Sequence, residues 1–208
     1  MPLKNMLVTG ATGNIGAPLI DLLVAQAMPC VAGVRDVRGY RAANPCRKAV
    51  HLDFNAPSSF VPALNRSDGV FLLRPPAVTR VRHTLNRFID DARTVGIKHI
   101  VFSSVIGAEK NPLLPHHWVE RYLRESGIGH TIRRQTFFAN NLGGEYRDDI
   151  RADRRLYLPS RAARVALIDA EDIAAVVATI AQNPVELAAR PTPSPGQPAI
   201  RSARWPQF

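Results

Sequence analysis

The stretch LVTGATGNIGAPLI, residues 7–20, constrains this chain more than any other. Its front half is apolar and ends in the β-branched pair Val8 and Thr9, and its back half carries Ile15, Leu19 and Ile20 at helical spacing, continued by Leu22 and Leu23. Between them lie Gly10, Gly13 and Gly16. A phosphate requires converging backbone N–H groups, a positive helix end behind them and no side chains in the way, and the order strand, glycine turn, helix supplies all three. Gly10 is expected to take the turn off the strand, Gly13 to let the backbone approach a pyrophosphate, and Gly16 to bring the helix close to the sheet. A plain strand-to-helix turn would leave three glycines and an exposed helix N-terminus unused, so the stretch predicts nucleotide binding.

The second strand of such a unit ends beside the adenosine ribose. Here CVAGVRD, residues 30–36, begins about 20 residues after the glycines, the interval the motif requires. Arg35 then stands where a 2′-phosphate would be, and its planar fork of donors suits a phosphate, whereas an acidic residue would take the ribose hydroxyls of the unphosphorylated cofactor. Asp36 is adjacent, so the reading favours NADP over NAD without removing NAD.

With 208 residues, 46% of them hydrophobic, the chain can bury one sizeable core and has little room for a second domain. Its two cysteines, Cys30 and Cys46, make neither a disulfide framework nor a metal spacing, which fits a reduced, cytoplasmic setting. No apolar run reaches the roughly 18 residues of a membrane span, and the first residues lack the regions of a signal peptide. The net charge of +10 comes almost wholly from arginine. Its densest region, 147–164, interleaves arginines with Asp148, Asp149 and Asp153, and no recognition motif or aromatic platform accompanies it, so nucleic acid is not the expected partner.

Strands and helices then alternate. RKAVHLDF reads as a third strand, SSFVPALN as a short helix, GVFLLR as a fourth strand and residues 78–95 as a long amphipathic helix. KHIVFSS is a fifth strand, HHWVERYLRES a helix closed by Gly127, and GHTIRRQ a sixth strand. Alternation of this kind implies an α/β fold: a doubly wound parallel sheet, Rossmann-like, with helices on both faces. Ligands then bind at the carboxyl ends of the strands, which directs attention to Arg35, Asp53, the segment from Leu73 to Pro76, Ser103 to Val105, and Gln135 to Asn141.

The ensemble TGATGNIG, GVRD, HLDF, GVFLLRPP, VGIKHIVFSS, VERYLRESGIGHTIRRQTFFANNL and VALIDAEDIAAV, in that order, resembles the NmrA-like group of atypical short-chain dehydrogenase/reductases. That group includes NAD(P)H-quinone and triphenylmethane-dye reductases and a redox-sensing regulator. The resemblance implies that the turn formed by Gly10, Thr12, Gly13, Asn14, Ile15 and Gly16 holds the pyrophosphate, that Arg35 takes the 2′-phosphate and that Asp53 approaches the adenine. The loop after strand four, Leu73, Arg74 and Pro75, would lie along the cofactor.

Main-line short-chain dehydrogenases use a Tyr-x-x-x-Lys pair, in which the lysine cation lowers the pKa of the tyrosine acid. No tyrosine here has a lysine four residues later; aligned on Glu120, the lysine position falls on His116 and the tyrosine position on Pro112. Ser103, at the end of strand five, and His116 are the remaining catalytic candidates. His116 and Glu120 share a helix face but have no third partner at a recognisable spacing, so no metal site is expected. His51 and His99 read as structural or surface residues, and Gln135 stands where the related proteins carry proline.

Residues 1–183 are expected to form the nucleotide-binding domain and 184–208, with prolines at 191, 193, 195, 198 and 206, a disordered tail that leaves the substrate lobe shortened. Two functions remain open: an NADPH-dependent reductase of a quinone-like or conjugated carbonyl compound, and a non-catalytic NAD(P)-binding redox sensor. A small molecule is the expected partner, and the sequence does not decide between a monomer and a homo-oligomer.

Overall fold

The first apolar run, Met6–Val8, forms strand β1 and is buried on both faces, as a central parallel strand must be. The computed structural model describes residues 2–143, 146–154 and 167–184. Around β1 lie β2 (Cys30–Val34), β3 (Ala49–His51), β4 (Gly69–Leu73), β5 (His99–Val105) and β6 (Gly129–Gln135), all parallel, in the order β3-β2-β1-β4-β5-β6. The order reverses between β1 and β4, and the crevice at that switch point opens at the carboxyl ends of the strands. The doubly wound α/β sheet expected from the alternation is therefore present.

Side chains of β1 divide by parity: Met6 and Val8 enter one core, Leu7 the other. The first core packs under α1 (Gly16–Ala25) and α8 (Ala170–Gln182) through Leu19, Ile20, Leu23, Ile173 and Val177. The second packs under α3 (Phe60–Leu64), α4 (Leu85–Thr94) and α5 (Pro115–Glu125) through Phe60, Leu64, Phe88, Ile89, Val119 and Leu123. A short helix α2 (Val37–Ala43) follows β2, a two-stranded sheet pairs β7 (Phe137–Phe138) with β8 (Leu167–Ile168), and the short helices α6 (Asn140–Gly143) and α7 (Arg147–Asp153) come between those two strands in the chain. None of these was evident from periodicity, because each is too short to show one.

One element differs from the sequence reading. The helix expected over 78–95 is an α-helix only from Leu85 to Thr94; Val81–His83 make a 3-10 turn, and Thr84, at φ −118° and ψ −86°, breaks the two apart. Val78 and Val81 continue the apolar periodicity and are buried, but in a loop that reaches back to the end of β4, where Val78 N–H donates to the Pro75 carbonyl. Burial of a loop imitated a helical stripe. The expected proline-rich tail, and the arginines at 155, 161 and 164, lie outside the described residues.

A buried ion cluster joins β5, β6 and α5. The Glu120 carboxylate, fully enclosed, accepts from Ser104 Oγ at 2.6 Å, from Arg134 Nε at 3.0 Å and Nη2 at 2.7 Å, and from Arg124 Nη2 at 2.8 Å. Burial alone would raise its pKa, but the donors from Arg134 and Ser104 outweigh that and hold it below the usual value. At the opposite end of β5, His99, buried and bonded to Thr131 Oγ1 at 2.9 Å, is lowered to about 4 by burial first and by the proximity of His130 second.

These groups set an acid limit. A histidine whose folded pKa lies below its unfolded 6.5 stabilises the fold fully above pH 6.5 and loses that contribution as pH falls toward 4, whereas the depressed Glu120 keeps its full contribution down to its own unfolded value of 4.5 and loses it only below that. The melting temperature should fall in two stages on acidification, and His99→Gln should shrink the first stage. Glu120→Gln should cost about 3 kcal/mol, because it breaks a buried pair and leaves Arg134 with a weaker partner. For a chain of this size that is a drop of roughly 6–12 °C in differential scanning calorimetry at pH 7.

Candidate functional site

The glycine turn is closed by contacts that only glycine permits. A Cβ on Gly16 would collide with the Gly10 carbonyl and Ala11 Cα, and Gly10 itself sits at φ +63° with Leu73 Cδ2 only 2.7 Å from where a Cβ would project. Gly16 thus lets the start of α1 close directly on the turn. Gly13 N–H donates to the Gly10 carbonyl at 2.9 Å, and a Cβ at Gly13 would meet only that oxygen, at 3.3 Å, with open space beyond. Helix α1 begins behind this turn with no side-chain cap and no acidic residue in its first turn, so its positive end is left for an anion.

The turn forms one wall of a cleft of about 520 Å³ at the switch point. Gly10, Thr12, Gly13, Arg35, Asp53, Leu73 and Pro75 all line it, together with Val34, Leu52, Phe54 and Pro76. Residues from four separate strand ends therefore meet where the sequence placed them. Phe54 is held edge-on against Phe88, with ring centroids 5.5 Å apart, and Phe60 braces Phe88 at 5.3 Å, which makes the wall at β3 rigid and apolar. Thr9 Oγ1 accepts from Leu73 N–H at 2.8 Å and fixes the end of β4 to the end of β1.

Arg35 is exposed at the rim of the cleft, directly after β2. Its neighbour Asp36 is not part of the cleft: its carboxylate caps α2 by accepting from Gly39 N–H at 2.9 Å. The acidic residue that clouded the sequence reading is thus occupied elsewhere. Asp53 also has a local duty, accepting from Asn55 N–H at 2.9 Å, but it still faces the cleft.

Four of the expected residues do not line the cleft with their side chains. Ile15 packs into the first core, Gly16 closes the turn, and Asn14 is exposed beside it. Arg74 points inward under its own loop, where Nη1 donates to the carbonyls of Pro75, Pro76 and Val78 at 2.8–3.1 Å and Nε donates to His116 Nε2 at 3.3 Å. It shapes the wall of the cleft from behind.

The two catalytic candidates are separated. Phe102 lies 6.1 Å from the His116 ring and Ser104 bonds Glu120, so even-numbered residues of β5 face α5. Ser103, buried one step along, faces the α1 and α8 side. His116 accepts from Arg74 at Nε2, which leaves the proton of the neutral ring on Nδ1, a buried donor without a partner. Burial first, and the Arg74 cation second, lower its pKa to about 4. Sequence reading missed the Glu120 cluster, whose members are far apart in the chain, and the Asp36 cap, which an Asp followed three residues later by glycine could have suggested.

Among the described residues no helix is long and apolar enough to cross a membrane. The model of the NmrA-like family matches residues 2–197, which passes residue 183. An NAD(P)H azoreductase from Xenophilus azovorans is 34% identical over 188 residues, covering 86% of this chain and 64% of that protein. Quinone oxidoreductase 2 of Escherichia coli (strain K12) is 27% identical over 140 residues, covering 64% of this chain and 49% of that protein. The chain thus spans less than two thirds of the length of these relatives. Among solved structures, the Citrobacter sp. triphenylmethane reductase complexed with NADP(H) superposes with a TM-score of 0.73 at 24% identity, over 86% of this chain and 66% of that one. The fold, the glycine cleft and the family match agree: the chain belongs to the NmrA-like family of Rossmann-type NAD(P)-binding proteins.

Proposed function

We propose that the chain binds NADPH in the cleft at the switch point and presents it for reduction of a conjugated acceptor, quinone-like or azo. The observation that carries this reading is the joint placement of an open glycine turn, an uncapped helix end and Arg35 around one cleft. The Gly10–Gly16 turn offers backbone donors to a pyrophosphate, Arg35 offers its guanidinium to a 2′-phosphate, and Leu52 and Phe54 offer an apolar wall for the adenine. With Asp36 committed to its helix cap, Arg35 is the cation that lines the cleft among the described residues, which supports the phosphorylated cofactor. The names of the azoreductase and quinone oxidoreductase relatives support the acceptor class.

When bound, the reduced nicotinamide supplies the hydride. The protein orients it by holding the turn and the loop after β4 rigid, through the Thr9–Leu73 bond and the Arg74 clamp. His116 is neutral at physiological pH and its Nδ1–H can donate a hydrogen bond, as a polarising group rather than as a proton source. That same neutrality supports a second reading, a cofactor-binding redox sensor without turnover, since no strong acid stands in place of the missing tyrosine. Titration with NADPH followed by a quinone and azo-dye reduction assay separates the two: cofactor binding without reduction of either acceptor class would establish the sensor.

Gly13→Val should leave the fold intact, because its added atoms enter open space, and should abolish NADPH binding by filling the cleft. Unchanged nicotinamide fluorescence on titrating the wild-type protein would overturn cofactor binding itself. Arg35→Ala should weaken NADPH by about 1.5–3 kcal/mol, roughly 10- to 150-fold, while NADH changes little. Equal losses for the two cofactors in isothermal titration would remove Arg35 from the 2′-phosphate.

A further inference from the structure

The last residue of β6 departs from the rule that buried polar groups are paired. Gln135 is only 5% exposed, yet neither its Oε1 nor its Nε2 has a hydrogen-bond partner. Exchanging the two ends of the amide does not help, because both are unpaired. Its backbone is satisfied, the carbonyl accepting from Ile106 N–H at 3.1 Å, so the unmet groups belong to the side chain alone. Each such group costs about 1–3 kcal/mol, a cost that an apolar residue would avoid.

Register locates the amide. Arg134 reaches Glu120 on the α5 side, so Gln135 faces the opposite side, with Ser103 and Leu73. Leu73 pairs with Ser103, and Val105 pairs with Gln135 one step beyond. Leu73 walls the cleft and abuts Gly10. With strands ~4.8 Å apart and a rise of ~3.3 Å per residue, Gln135 lies ~12 Å from Leu73 across the carboxyl ends of β4, β5 and β6. A ligand extending from the glycine cleft along this edge would pass Ser103 and reach, at its far end, one unpaired acceptor beside one unpaired donor, both enclosed in the free protein.

A quinone, a carboxylate or a phosphate presents acceptors only and would leave Oε1 unmet. A primary carboxamide presents both partners. Resting on the dinucleotide reading above, we propose that the Gln135 side chain recognises the carboxamide of the nicotinamide ring: Nε2–H donates to the carboxamide oxygen and Oε1 accepts from the carboxamide nitrogen. Gln135 is then the residue that holds the reactive ring, as distinct from the phosphates, and its unpaired state in the free protein is the consequence.

The test compares two ligands on the full chain by isothermal titration: NADPH, and 2′-phospho-ADP-ribose, which keeps the phosphates and lacks the nicotinamide ring. Gln135→Met and Gln135→Leu should each weaken NADPH about tenfold, the loss of two modest hydrogen bonds, and leave 2′-phospho-ADP-ribose within about twofold of wild type. Without ligand, Gln135→Met should melt higher than wild type, since it removes the unmet groups. Equal losses for both ligands, no loss for either, or a lower melting temperature in both variants would overturn the proposal and leave NADPH binding standing. Wild-type protein that bound neither ligand would overturn NADPH binding as well.

Discussion

Everything at the switch point depends on the absence of a side chain at Gly16. Because no Cβ stands there, the Gly10 carbonyl can turn back beneath the start of α1 and accept from Gly13 N–H. That closure sets the entry of α1, whose Leu19, Ile20 and Leu23 meet Ile173 and Val177 of α8 in the first core. The same closure places Gly10 against Leu73, and Thr9 then ties the two central strands at their ends. A single close approach of backbone to backbone therefore aligns the helix layer, the β1–β4 crevice and the mouth of the cleft.

The site is built in two materials. On the side of β1, β2 and β3 the parts are backbone and rigid apolar walls, with Phe54 wedged by Phe88, and these suit a ligand of fixed shape. On the side of β4, β5 and β6 they include polar side chains whose bonds are partly unmade, the His116 Nδ1 and the Gln135 amide. Buried polar groups without partners are costly in a free protein.

The fold was legible because its signals are local. The glycine turn, the β-branched runs and the regular spacing of strands and helices need only neighbours in sequence, and the cleft residues Arg35, Asp53, Leu73 and Pro75 followed from their places just after strands. The helix read over 78–95 failed where a buried loop happened to keep a helical spacing of valines. The contact that forbids a side chain at Gly16, with the Gly10 carbonyl, is not visible in the spacing of the glycines. Ser103 was a candidate from the end of strand five and His116 from the place of the missing lysine, yet Ser103 faces away from α5 while His116, on α5, lies against Phe102 on the other face of β5. The Arg74 clamp, the Glu120 cluster and the unmet amide of Gln135 involve groups up to 42 residues apart in the chain, or no partner at all, and no local pattern announces them.

Helix α5 is fastened very differently along its length. At Glu120 it is locked to β5 through Ser104 and to β6 through Arg134, in a cluster that any sliding would tear. Its first turn instead meets loops: Arg74 reaches His116, the Ala108 carbonyl meets His117, and Trp118 donates to the Pro112 carbonyl. The helix is therefore clamped to the sheet at its middle and tied to loops at its first turn, where Arg74 links it to the wall of the cleft. Displacement of the loop after β4 would reach His116 as a small tilt of one helical turn, with the sheet beneath it left undisturbed.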